Sequence, residues 1–154
     1  MSDVAAHDPC EHPAPEHTRP DGSTDAEVAA VGKLSEALET VERARGHLYG
    51  FHQLIGHADR QLGEAVDALR EAGHQDLAAA VEADLLGRNV LPGRWTFQVV
   101  EEFDDGYWEP FRTWDRTVRD AALGGRRHVY ESEMKEARRT HGRPGHESRP
   151  TEES

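Results

Sequence analysis

The sequence predicts an all-α fold, a helical bundle or antiparallel helical hairpin built on one long first helix, with disordered termini. Three observations predict it. Between Leu34 and Leu69 an apolar residue returns every seventh position, through Val41, Leu48, Ile55 and Leu62. Three places behind each comes a second, mostly small series: Ala37, Ala44, Phe51, Ala58, Ala65 and Ala72. Two apolar sites per seven residues mark a helix packed along one seam by another helix. The second observation is an aromatic stripe at helical spacing between Val99 and Ala121. The third is that both ends are polar, proline-containing and without periodicity.

Residues 1–23, with Pro9, Pro13, Pro15 and Pro20, read as a disordered acidic arm, and residues 140–154 as a disordered tail. Between them, residues 24–139 form the predicted helical domain. Its first helix starts after Ser23 or Thr24, either of which would cap it, and Asp25 and Glu27 suit the positive helix end. Gly73 is its natural stop, so it would measure about 70 Å if unbroken. Gly46, Gly50, Gly56 and Gly63 fall inside it and oppose helix propensity, each by up to about 1 kcal/mol relative to Ala.

A short second helix is expected over 76–86, then a turn closed by Pro92-Gly93. A third runs from Arg94 to Leu123, its stripe formed by Val99, Val100, Phe103, Tyr107, Phe111, Trp114, Val118 and Ala121. Its aromatic, β-branched start would suit a strand, but the stripe continues without a phase change, which selects helix. Pro110 would kink or split it, because proline removes an internal hydrogen bond. Gly124-Gly125 ends it, and a last helix covers 126–138. In this reading the alanine row of the first helix receives the bulky Trp, Tyr and Phe of the third.

At 154 residues the chain has room for one domain. The net charge of −12 argues against non-specific nucleic-acid binding, which needs clustered basic residues to displace counterions. No run approaches the roughly 20 apolar residues of a membrane helix, and the amino end lacks a secretory pattern. Cys10 is the single cysteine, so no intrachain disulfide forms. A cytoplasmic, acidic protein without membrane or nucleic-acid partners is the expectation. Walker loops, dinucleotide-binding glycines, His-Glu-x-x-His and Gly-x-Ser-x-Gly are all missing.

The candidate ligand or partner face lies on the first helix. Gly46, Gly50, Gln53, His57 and Glu64 fall within about 60° of one another, flanked by Tyr49 and Arg60. Glycines there would admit a ligand or a second backbone, and Gln53, His57 and Glu64 would supply an acceptor, a titratable ring and a carboxylate. The plainer alternative is a solvated helix back. His47, His52 and His57 recur every five residues, which points successive rings about 140° apart and away from a shared metal. Trp108, at the edge of the aromatic stripe, is a candidate partner anchor, while the other aromatics are expected in the core.

A divalent metal is the alternative cofactor, with no cofactor as the leading expectation. Carboxylates at helical spacing bind hard cations, and di-iron bundles turn Glu and Glu-x-x-His inward. The acidic run Glu101-Glu102-Phe103-Asp104-Asp105, the row Gln98, Glu102, Asp105 and Glu109, and the reversed His128-x-x-Glu131 are the nearest approach. That alternative, a ferritin-like oxidoreductase, requires His57, Glu64, Glu101 and Glu102, with His128 as a further donor, to gather. His7, Asp8, Cys10, His12 and His17 in the arm match no defined metal spacing.

The blocks Arg45-Gly46-His47-Leu48-Tyr49-Gly50-Phe51-His52-Gln53-Leu54 and Gly93-Arg94-Trp95-Thr96-Phe97-Gln98-Val99-Val100-Glu101-Glu102-Phe103-Asp104 resemble a family of small helical proteins of actinobacteria. The resemblance covers about Val41 to Arg138 and implies no activity and no site residues. The leading expectation is therefore a non-enzymatic helical interaction protein, an adaptor or a homo-oligomer whose heptad seam extends to a second copy. A small-molecule sensor, with a pocket between the Gly46–Gly50 face and the aromatic element, is a third possibility.

Overall fold

The structure, a computed structural model, describes residues 9–150, so His7 and Asp8 lie outside the described residues. It is all-helical, as the heptads predict. Helix α1 spans Asp25–Glu71, α2 Gln75–Asp84, α3 Thr96–Phe103, α4 Glu109–Leu123 and α5 Val129–Arg138. Among the described residues the only extended pairing is the isolated bridge between Leu91 and Arg94, which closes the Pro92-Gly93 turn with Gly93 at φ 71°.

Thr24 is the residue that caps α1. Its hydroxyl accepts the Glu27 N–H at 3.2 Å, and the Glu27 carboxylate accepts the Thr24 N–H at 2.8 Å. This reciprocal capping satisfies two amides that the helix itself leaves unpaired, and it holds the Glu27 carboxyl below its ordinary pKa. At the other end Gly73, at φ 88°, reverses the chain. Its N–H reaches the Arg70 carbonyl at 3.0 Å, and the His74 N–H reaches that of Leu69 at 2.9 Å. That pair of bonds is the usual glycine C-cap. The interior glycines do not interrupt α1.

Pro110 has a more specific consequence than a kink. Between α3 and α4 lies a π-helical turn, Asp104–Trp108, in which the Glu109 N–H bonds back five residues to the Asp104 carbonyl. Pro110 has no N–H to continue the ordinary ladder, and the chain widens by one residue just before it. One extra residue rotates everything downstream by about 100°. The inward face after the turn is Trp108, Phe111, Asp115, Val118 and Ala122, rather than the expected Tyr107, Phe111, Trp114, Val118 and Ala121. Trp114 is 64% exposed and Tyr107 is exposed too. The expectation of an unbroken stripe with a buried Trp114 is thereby corrected.

The matching of alanine row to aromatics is corrected with it. Ala37, Ala44, Phe51, Ala58, Ala65 and Ala72 are all exposed, whereas Leu34, Val41, Leu48, Ile55, Leu62 and Leu69 are half-buried. Within the chain α1 packs on the large-aliphatic side of its seam. Trp95 and Phe97 lie exposed against each other, with ring centroids 5.3 Å apart.

Where length predicts one domain, the contacts divide the chain into two compact units. One contains the chain up to Leu38 and from Arg112 onward, the other Glu39–Phe111. In the first, Val28, Val31, Leu123 and Val129 form the core, with Val118 and Ala122 against it. Gly32 lets Tyr130 pack closely there, since a Cβ would lie 3.0 Å from its ring. Beneath this core Asp115 is buried, accepting from Ser35 Oγ at 2.8 Å and Arg119 Nη1 at 2.6 Å.

The polar arms also belong to this unit. The expectation that they are unstructured does not extend to Pro9–Ser23 and 140–150. Arg139 has its side chain 1% exposed, donating to Glu136 at 2.6 and 3.0 Å and to Glu11 at 3.1 Å. Arg19 is forked onto Glu133 at 2.6 and 2.8 Å. The Ser148 N–H reaches the Cys10 carbonyl at 3.0 Å. Charged hydrogen bonds from the buried Arg139 and the half-buried Arg19 order segments that have too little apolar surface to order themselves.

In the second unit the C-terminal part of α1 turns at Gly73 into α2, and Val66, Ala78 and Val100 are buried. Asp59 accepts the Gly87 N–H at 2.8 Å, which anchors the loop after α2 to α1. An ion pair of Arg70 with Glu82 links the two helices again.

Candidate functional site

The second unit carries the glycine face, Trp108 and the acidic run singled out by sequence. On α1 its inward side is set by Arg45, Leu48, His52, Ile55, Asp59, Leu62 and Val66, which are half-buried, buried or bonded to the other elements. His52 Nδ1 lies 2.8 Å from Thr96 Oγ1 at the start of α3. His47 and His57 are exposed, and Arg60 Nη2 lies 3.4 Å from His57 Nδ1. The three histidines thus face different surroundings, as their five-residue spacing requires.

The glycine face remains open. A Cβ at Gly46 or Gly50 would meet nothing within 4 Å, and Gln53, His57 and Glu64 are exposed. Among the described residues nothing uses the space these glycines leave. Tyr49 sits edge-on to His52, ring centroids 5.8 Å apart.

Next to that face runs a row whose members Ala44, Phe51, Ala58 and Ala65 the heptad reading assigned to the packed seam. Phe51 is 40% and Leu54 68% exposed, and Ala44, His47, Ala58, Gln61 and Ala65 share their side of the helix, all exposed. Positions 44, 51, 58 and 65 and positions 47, 54 and 61 are the two sites of a heptad. The helix therefore has two adjacent seams, one turned into its own unit and one turned outward.

Trp108 does not stand out as a free anchor. Its indole N–H donates to Glu42 at 2.8 Å, and the Arg45 guanidinium lies 4.0 Å from its ring centroid. Arg45 also grips Asp104 with bonds of 2.7 and 2.9 Å and lies 5.6 Å from the Tyr49 ring centroid. The hydrogen bonds from Arg45 hold the Asp104 carboxyl below its ordinary pKa, and Asp104 in turn raises that of Arg45. Both ends of the π-helical turn are thus fastened to α1, Asp104 by charge and Trp108 by stacking. Sequence reasoning missed this cluster, since it depends on the rotation that the π turn introduces.

The donors of the metal alternative are dispersed. Glu102 pairs with Arg94 at 2.6 Å, and Glu101 and Glu64 are exposed. His128 stands in the other unit, at the left-handed φ of 56°, with its ring 5.9 Å from that of His17. Among the described residues no group of three or more His, Cys, Asp or Glu side chains gathers as a metal site would require. The sensor reading placed its pocket between the glycine face and the aromatic element. An open concavity of about 510 Å³ in the second unit is lined instead by Ile55, Ala58, Leu62, Leu85 and Val90.

No helix among the described residues is long and apolar enough to cross a membrane. No family model, curated protein or solved structure matches the chain.

Proposed function

We propose that the chain is a non-enzymatic helical interaction protein that associates with itself and acts in the cytoplasm. One observation carries this reading: α1 presents a second heptad row, centred on Phe51 and Leu54, to solvent. A Leu left 68% exposed on a helix that already packs on its neighbouring row forgoes burial worth roughly 1 kcal/mol or more. Exposed large side chains recur in the same unit at Leu77, Leu85, Leu91 and Trp95. Single exposed apolar residues are ordinary, but a row at heptad spacing has the form of a helix–helix interface. The net charge of −12 favours a protein partner over nucleic acid.

The test is the mass in solution. Light scattering coupled to gel filtration on untagged protein is expected to give a multiple of 17.2 kDa that falls toward 17.2 kDa on dilution. A species of 17.2 kDa at every concentration overturns the self-association reading.

A further inference from the structure

Resting on that self-association reading, the geometry points to one arrangement: two copies pair antiparallel along α1, the twofold axis crossing the outward seam midway between Phe51 and Leu54. Three features of the outward row select it.

The first is size. In an antiparallel heptad pair the two seam sites face one another across the interface. Setting Phe51 opposite the partner's Leu54 brings together the two bulkiest side chains of the row, twice, at the centre. The same register sets Ala58 opposite His47 and Ala44 opposite Gln61, so each longer side chain meets an alanine. A parallel, in-register pair would instead set His47 on His47 and Gln61 on Gln61, each polar group against its own copy.

The second is charge. The residues just before each first-site position are Arg43, Gly50, His57 and Glu64, and these flank the seam on its glycine side. Antiparallel pairing brings flanking residues of this kind into contact with each other. In the register above Arg43 meets the partner's Glu64 and Glu64 the partner's Arg43. Both are exposed, so both are available for the exchange. In a parallel pair the same positions would face Leu48 and Leu69, with no charge matched.

The third is Gly50. A helix-interior glycine is unfavourable, and here a Cβ would meet nothing within 4 Å among the described residues. In the antiparallel register Gly50 lies opposite the partner's His57, where the missing side chain leaves room for an imidazole. Gly46 and Gly56, which lie off this seam, play no part in it.

Cysteine pairing tests the arrangement with little disturbance of the fold, since Arg43, Ala44, Gln61 and Glu64 are exposed and Cys10→Ser exchanges one atom of a half-buried side chain. In a Cys10→Ser background, Ala44→Cys and Gln61→Cys are made singly, mixed, and treated with a short bismaleimide, the mass in solution being measured alongside. The expected result is a cross-linked dimer from the mixture and almost none from either variant alone, because equivalent residues of an antiparallel pair lie about 25 Å apart. Glu64→Arg is expected to weaken the dimer about fivefold or more, and adding Arg43→Glu to restore it. A dimer in which Ala44→Cys links to itself overturns the antiparallel register while leaving self-association standing. So does a dimer that neither the mixture nor the single variants trap. A monomer at every concentration overturns both.

Discussion

Arg45 and Asp104, 59 residues apart in the chain, share two hydrogen bonds of 2.7 and 2.9 Å. The pair joins the middle of α1 to the first residue of the π-helical turn. Its two side chains are 26% and 22% exposed, sheltered enough for the forked geometry to matter and wet enough to moderate its strength.

A double-mutant cycle measures that pair. Arg45→Lys keeps the charge but loses the fork and the flat stacking on Trp108, and Asp104→Asn removes the acceptor charge. Each change is expected to cost about 1–2 kcal/mol in urea unfolding, with a coupling of about 1 kcal/mol between them. Additive losses would mean that the two side chains touch without stabilising the turn.

Acid sensitivity follows from the same contact. Hydrogen bonds from Arg45 depress the Asp104 carboxyl below the ordinary value of 3.8, and Glu27 and Glu136 are depressed below 4.5 by their own hydrogen bonds. A carboxyl with a depressed folded-state pKa contributes stability that is fully present above its unfolded pKa and is lost as pH falls through the folded one. Urea midpoints are therefore expected to hold from pH 7 to about 5 and to drop below about pH 4. In Asp104→Asn the acid drop should be shallower, with the deficit already present at neutral pH. An unchanged acid profile in that variant would remove Asp104 from the account.

The helices, the Thr24 cap of α1 and the glycine stop at Gly73 were legible because they depend on residues near in sequence. Thr24 with Glu27 carries its own reciprocal bonds, and heptad spacing specifies a helix whichever side becomes buried. What was not legible was which of two adjacent rows faces inward. Alanine and leucine rows both satisfy an apolar repeat, and only the positions of α2 and α3 choose between them. The slip at Asp104–Trp108 was hidden for a related reason. Pro110 announces that a bond is lost, but widening the turn and kinking the helix are both responses to that loss. The choice moved Trp114 outward and Asp115 inward. The cluster of Arg45, Asp104 and Trp108 comes from the same turn. The ordering of the arms escaped notice because composition registers the scarcity of apolar residues and not the partners of Arg19 and Arg139.

The rotation after the π turn predicts opposite outcomes for two large side chains of α4. Trp114→Ala removes the larger group but one that is 64% exposed, so its cost is expected to stay within about 0.5 kcal/mol. Leu123→Ala empties a site that is 1% exposed among Val28, Val31 and Val129, and should cost about 3 kcal/mol. Thermal and urea unfolding of the two variants, measured at one protein concentration, would check this. The reverse ordering would restore the unbroken stripe that periodicity suggests.

Asp115 is the sharpest case of that rotation, because a carboxylate now occupies a place that an uninterrupted stripe would leave to its neighbour Trp114. It is held by Ser35 at 2.8 Å and Arg119 at 2.6 Å, and the Arg119 Nε is buried with no partner. Removing the carboxylate leaves a guanidinium that is 11% exposed without its counter-charge. Uncompensated buried charge costs more than the pair itself contributes. Asp115→Ala is accordingly expected to cost about 3 kcal/mol, Ser35→Ala only about 1 kcal/mol, and the pair Asp115→Leu with Arg119→Met less than Asp115→Ala alone. Chemical denaturation of the three variants separates these outcomes. If the double variant were the least stable, Asp115 and Arg119 would be a net stabilising pair rather than a charge that the rotated helix has had to neutralise.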